Sequence, residues 1–107
     1  MILRLWSGWT TPEGAADYDR VLDEDVAPGI VARRLGGLES FEVWTRRADE
    51  ERGEREFLTA MRFADLDAVA RFTGGDPHGS VVPPQARAVL RRFDEHSRHY
   101  DLRRKHL

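Results

Sequence analysis

Between positions 38 and 63, apolar side chains fall on both faces of what reads as a long β-hairpin. Leu38, Phe41, Val43 and Trp44 lead in; Phe57, Leu58, Thr59, Ala60, Met61 and Phe63 lead out; a charged turn over 48–54 joins them. Strands with bulk on both faces need cover on both sides, because a hairpin alone is marginal in water. Ahead of the hairpin, Ile2, Leu3, Leu5, Trp6 and Trp9 mark a first strand. Period-two geometry sets Arg4 and Trp6 on one side and Leu3, Leu5, Ser7 and Trp9 on the other. Thr10-Thr11-Pro12-Glu13 reads as a helix start: a Thr cap, Pro at the first helical position and an acid at the positive end of the dipole. Ala15, Tyr18, Leu22 and Val26 then recur at helical spacing as one buried stripe, with Val21 beside them. Pro28-Gly29 kinks or ends that helix, Ile30 and Val31 continue its packed side, and Gly36-Gly37 supplies the positive φ that enters the hairpin.

Beyond the hairpin, Asp65 caps a second helix with Leu66, Val69, Ala70 and Phe72 on its buried side and a stop at Gly74-Gly75. Residues 76–84 form a loop, and Pro84 opens a third helix in which Ala86, Val89, Leu90 and Phe93 recur at helical spacing. Residues 97–103 close the domain as a strand, with Tyr100 and Leu102 on one side and His99 on the other. The order β, α, β, β, α, a small helix, β predicts an α+β fold, a ferredoxin-like antiparallel four-stranded sheet with helices on one face. The face without helices would expose more apolar surface than soluble monomers tolerate. Two sheets meeting through a two-fold contact remove it, so the chain is expected to form a homodimer.

Composition narrows the function more than it defines one. With 107 residues, 40% hydrophobic and 34% charged, the chain reads as a single domain over 1–107 with one core. A formal net charge of −2, with 17 Lys and Arg spread along the chain, leaves no electrostatic footprint for nucleic acid. Zero cysteines remove disulfides, thiolate metal sites and cysteine nucleophiles together, which suits a cytoplasmic protein. The first ten residues lack the basic leader and apolar run of a secretion signal, and no membrane partner is expected.

The segments LRLWSGWTTPEGAADYDRVLDEDVAPGI, FEVWTRR, EFLTAMRFADLDAVARF and VVPPQARAVLRRFDEHSRHYDL together resemble antibiotic biosynthesis monooxygenase-like proteins of the dimeric α+β barrel superfamily. That resemblance spans nearly the whole chain as a pattern of elements. It implies a dimeric barrel and, in one branch, a cofactor-independent monooxygenase acting on an aromatic or polyketide-like molecule between sheet and helices. The haem-degrading branch implies a ligating His after the second helix, an Asn in the first strand and a Trp ending the third. Here those places hold His78, Ser7 and Phe63, so two of the three groups differ and no cofactor is expected.

The residues that could carry chemistry are few. His99, beside Tyr100, has the pKa range of a general base near neutrality, and His78 lies in a loop where a lid would be. Tyr100 and Arg62 are candidate donors to a developing oxyanion, which makes His99, Tyr100, His78 and Arg62 the candidate catalytic set. Trp6, Trp44 and Phe63 are the candidate substrate-binding walls. Each has a plainer reading, as core, interface or turn residue. Arg4, Arg46 and Arg62 lie on strands, where a buried guanidinium requires a carboxylate or an anionic ligand. His96 and His99 are three apart on an expected strand and so on opposite faces, which argues against a metal site. The alternative to an enzyme is a non-catalytic dimeric module that binds a ligand or only associates.

Overall fold

A computed structural model describes residues 1–47 and 53–107; most of the expected hairpin turn therefore lies outside the described residues. The chain runs β1 (Ile2–Thr10), α1 (Ala15–Val21), a π-helical segment (Leu22–Val26), α2 (Ala27–Ala32), β2 (Leu38–Thr45), β3 (Arg55–Phe63), α3 (Leu66–Thr73), α4 (Pro84–Arg87), β4 (Arg92–Phe93) and β5 (Arg98–Asp101). One antiparallel sheet has the order β2-β3-β1-β4, with β5 also on β1. Both short strands lie along the same edge: β4 pairs Gly8 and Trp9, β5 pairs residues 2–5. They are a single fourth strand interrupted at 94–97, where Asp94 turns its carboxylate onto the Ser7 N–H and its carbonyl onto the Trp6 indole. The architecture is the expected ferredoxin-like α+β sheet, its last strand broken in two.

Registry decides which side chains meet the helices. Across the sheet Trp6 faces Thr59, and Arg4 faces both Met61 and His99. These rows look toward the helices, while Leu3, set between Arg62 and Tyr100, looks away. The helix-side core divides in two. Tyr18, Leu22, Val26, Phe57 and Ala86 form one half, and Met61, Phe63, Ala68, Val69 and Phe72 the other, with Ile30 packed against both. Edge-to-face packing of Tyr18 on Phe57 at 4.9 Å and tilted packing of Phe63 on Phe72 at 5.8 Å centre the two halves.

Several local expectations are corrected. Pro28 does not end the helix: it lies in the first turn of α2, directly after the π-helical segment, and the helix runs on to Ala32. Val31 is exposed rather than packed. The first helix begins at Ala15, not at Pro12; Thr11 Oγ1 instead accepts from the Gly14 N–H and closes the turn that precedes it. Asp65 does cap α3, accepting from the Ala68 N–H at 2.9 Å, and Gly74 ends it in the left-handed region. Leu66, however, is exposed, and Ala68 takes its place in the core. The helix opened by Pro84 stops at Arg87, and Phe93 belongs to β4. Among the described residues no helix is long and apolar enough to cross a membrane.

Candidate functional site

The seam between the two half-cores is not completely filled. A cavity of about 40 Å³ lies there, floored by Arg4, Trp6, Thr59 and Met61 and roofed by Tyr18, Leu22, Val26 and Ile30. Residues 81–83 line it as well, and Val81 is partly exposed. That volume holds about three waters. Two of the roof residues, Leu22 and Val26, belong to the π-helical segment, a form of helix that recurs at functional sites. Trp6 is fixed as a wall because its indole N–H donates to Asp94 O at 2.9 Å and Ser80 Oγ at 3.1 Å.

Among the described residues Arg4 is the only charged one in that lining. It is 3% exposed, and its guanidinium donates from Nη1 to Pro77 O at 2.6 Å and from Nη2 to Gly79 O at 2.8 Å. A third bond, at 2.9 Å, joins Nη1 to His99 Nε2, its cross-strand neighbour. Since arginine is donor-only, Nε2 must accept, which puts the imidazole hydrogen on Nδ1. All three partners are neutral. Arg4 makes no ion pair among the described residues; Asp76 helps from a distance, and the Phe72 ring lies 5.4 Å from the guanidinium carbon. Burial lowers the Arg4 pKa to about 10, with Asp76 partly opposing, so it remains a cation at neutral pH.

His99 is held neutral by the same surroundings. Desolvation first, then Arg4, then His78 lower its pKa. Among the described residues its Nδ1 is buried without a hydrogen-bond partner, and so is the Oγ of Ser97, a residue that lines the cavity two positions earlier on the same face. The Tyr18 phenol also reaches the cavity wall, and burial pushes its pKa up.

The residues singled out from sequence are distributed over three places. His78 and His99 come together, rings edge to face at 5.2 Å, although His78 is exposed on its loop. Tyr100 and Arg62 also meet, but across the sheet from His99, in a recess of about 270 Å³ lined by Leu3, Leu102, Arg103 and Arg104 among others. Alternation along β5 forces that split. Among the aromatic residues, Trp6 walls the cavity, Trp44 is 56% exposed on the helix-free face and Phe63 is fully buried in the core. Of the three strand arginines, Arg46 is exposed and paired with Glu56 at 3.5 Å, and Arg62 is exposed. Arg4 alone meets the condition of a buried guanidinium without a carboxylate, and it, Ser97 and Tyr18 were missing from the candidate set. The groups of the haem-degrading branch do not converge either: Ser7 points away from the helices onto Glu56, at 2.8 Å. Among the described residues no three of His, Cys, Asp and Glu cluster as metal ligands.

A four-stranded antiparallel sheet in this order, covered on one face by helices, is a ferredoxin-like α+β fold. A solved structure from Bacillus cereus, described as a candidate antibiotic biosynthesis monooxygenase, shares it with a TM-score of 0.57. The match covers 100% of this chain and 95% of that one at 12% sequence identity, a likeness of fold. No family model matches the chain, and no curated protein matches it in sequence.

Proposed function

We propose that this chain is a small-molecule enzyme of the cofactor-independent oxygenase type, working in the cavity between sheet and helices. The observation that carries the reading is Arg4: one buried cation, with no ion-pair partner among the described residues, on a mostly apolar wall. Such a charge is already in place where negative charge develops on a substrate, and a dry site makes it worth far more than in water. In this chemistry an acidic methylene loses a proton and the resulting carbanion reduces dioxygen. The carbon ends as a carbonyl and one water is released: R2CH2 + O2 gives R2CO + H2O. The chain's part is to hold the anion beside Arg4, exclude water and accept the proton, a role that falls to His99, whose Nε2 is bonded to Arg4 at 2.9 Å behind the cavity wall. A phenol is available from Tyr18 rather than Tyr100. The cavity supports a substrate well below polycyclic size.

That size also supports a second reading, a dimeric module that binds a ligand without turning it over. Both readings retain the homodimer. Leu3, Leu5, Leu58, Trp44 and Tyr100 lie on the helix-free face, where Trp44 and Tyr100 are 56% and 49% exposed, and a two-fold contact would cover them. Oxygen consumption with a panel of small β-dicarbonyl compounds separates the two. Uptake above the buffer rate, abolished in Arg4→Met, is the expected result; no uptake across the panel leaves the binding module.

A further inference from the structure

The Arg4 end of the cavity contains more unmet hydrogen-bonding capacity than a neutral ligand would use. Among the described residues three of the five guanidinium N–H groups are occupied, which leaves two donors free to meet a ligand on a residue that is 3% exposed. Ser97 Oγ lines the same cavity, 6% exposed as a residue and without a partner. His99 Nδ1, with its hydrogen, is the third unpartnered group, one alternation further along the same face of the strand. Buried polar groups are normally paired, and a buried charge normally has a counter-ion. Here Ser97 Oγ and His99 Nδ1 are unmatched on the sheet face that carries a buried cation, and among the described residues no acidic group lines the cavity.

We propose that the ligand is bound as its anion, a small apolar organic acid whose carboxylate, or equally acidic enolate, sits against Arg4 and Ser97 Oγ. This deepens the oxygenase reading and rests on it for the location of the site. The remainder of the ligand lies along Trp6 and the apolar roof and reaches the mouth at Val81, because a space for about three waters takes the acid group and little else. Negative charge enters with the ligand, so it is already present when Arg4 makes contact. The carboxylate that sequence reasoning demands of a buried strand arginine is thus supplied from outside.

Butyrate and its uncharged isostere butyramide test this, with the Trp6 indole N–H resonance as readout, assigned through Trp6→Phe. Butyrate is expected to shift that resonance saturably with a millimolar dissociation constant, and butyramide is not. Arg4→Met should weaken butyrate about 10- to 100-fold, the range of a lost charge-assisted bond, and Ser97→Ala about 10-fold or less. A circular dichroism melt of each variant shows that it is folded; if Arg4→Met does not fold, Arg4→Gln, which removes the charge but keeps an amide donor, must weaken butyrate about 10-fold or more. Butyramide binding as tightly as butyrate, undiminished butyrate binding in the folded Arg4 variant, or no saturable shift from butyrate overturns the proposal. Butyrate binding without oxygen uptake removes the oxygenase and leaves the anion site; uptake with neutral substrates and no butyrate binding does the reverse.

Discussion

Replacing Arg4 by Met measures what the buried charge contributes to the empty protein. A guanidinium whose pKa is lowered to about 10 has lost roughly 3 kcal/mol of its preference for the charged form. Methionine removes that burden, and its flexible thioether can pack on the Phe72 ring. Against this, Pro77 O, Gly79 O and His99 Nε2 lose their donor, at about 1 kcal/mol each and so roughly 3 kcal/mol together. The two contributions nearly cancel. Arg4→Met should therefore unfold within about 10 °C of the parent chain, since 1 kcal/mol moves the melting temperature of a domain this small by about 4–8 °C. Arg4→Lys should be the less stable of the two, because an ammonium is more strongly hydrated than a guanidinium and keeps the charge with fewer donors. Thermal melts followed by circular dichroism, at equal protein concentration and without organic acids in the buffer, give both values. A loss of about 4 kcal/mol or more in the Met variant, or a Lys variant that melts above it, would refute the reasoning by showing that the charge stabilises the empty fold.

Gly37 has a φ of +86°, and an added Cβ would sit 2.6 Å from the Ala68 Cβ, so Gly37→Ala should cost about 2 kcal/mol or more in a urea titration. Because the folded state lowers the His99 pKa, it binds fewer protons than the unfolded chain between that lowered value and 6.5. The associated stability is complete above pH 6.5 and declines as the pH falls through that window; His99→Gln should flatten this part of the stability-versus-pH curve, and an unchanged slope would assign it to other groups. Size-exclusion chromatography with light scattering at micromolar concentration should give about twice the 12.3 kDa chain mass, and Leu58→Glu on the helix-free face should shift it toward the monomer.

Most of the fold was legible because strand alternation and helix spacing act over a few residues. The faces of β1, the Asp65 cap and the stop at Gly74 all follow from neighbours in sequence. What failed locally failed for tertiary reasons. The spacing of Ala86, Val89, Leu90 and Phe93 suits a helix, yet Phe93 is drawn into β4 because Gly8 and Trp9 offer an open strand edge. Gly8 itself permits little else, since a Cβ there would come within 2.9 Å of Leu90 and Trp6 side-chain atoms.

The site was less legible, and the reason is geometric. Period two already separated His99 from Tyr100 and grouped Arg4 with Trp6, but it cannot say which side receives the helices. That choice is made by β3, whose Phe57, Met61 and Phe63 belong to the half-cores under the helices, and by the register that sets Met61 opposite Arg4. Once β3 is oriented, Arg4 is carried inward with Trp6 and buried, while Arg62 is carried outward. The row Met61, Arg4, His99 then runs across the sheet under the helices, and the adjacent row Arg62, Leu3, Tyr100 runs across the face that a second subunit would cover. A guanidinium, an imidazole or a phenol occurs in both rows or beside them, so residue type alone could not choose between them. Burial separates them: the inner row presents a cation that is 3% exposed and has no ion pair among the described residues, whereas Arg62 in the outer row is exposed and needs no ligand.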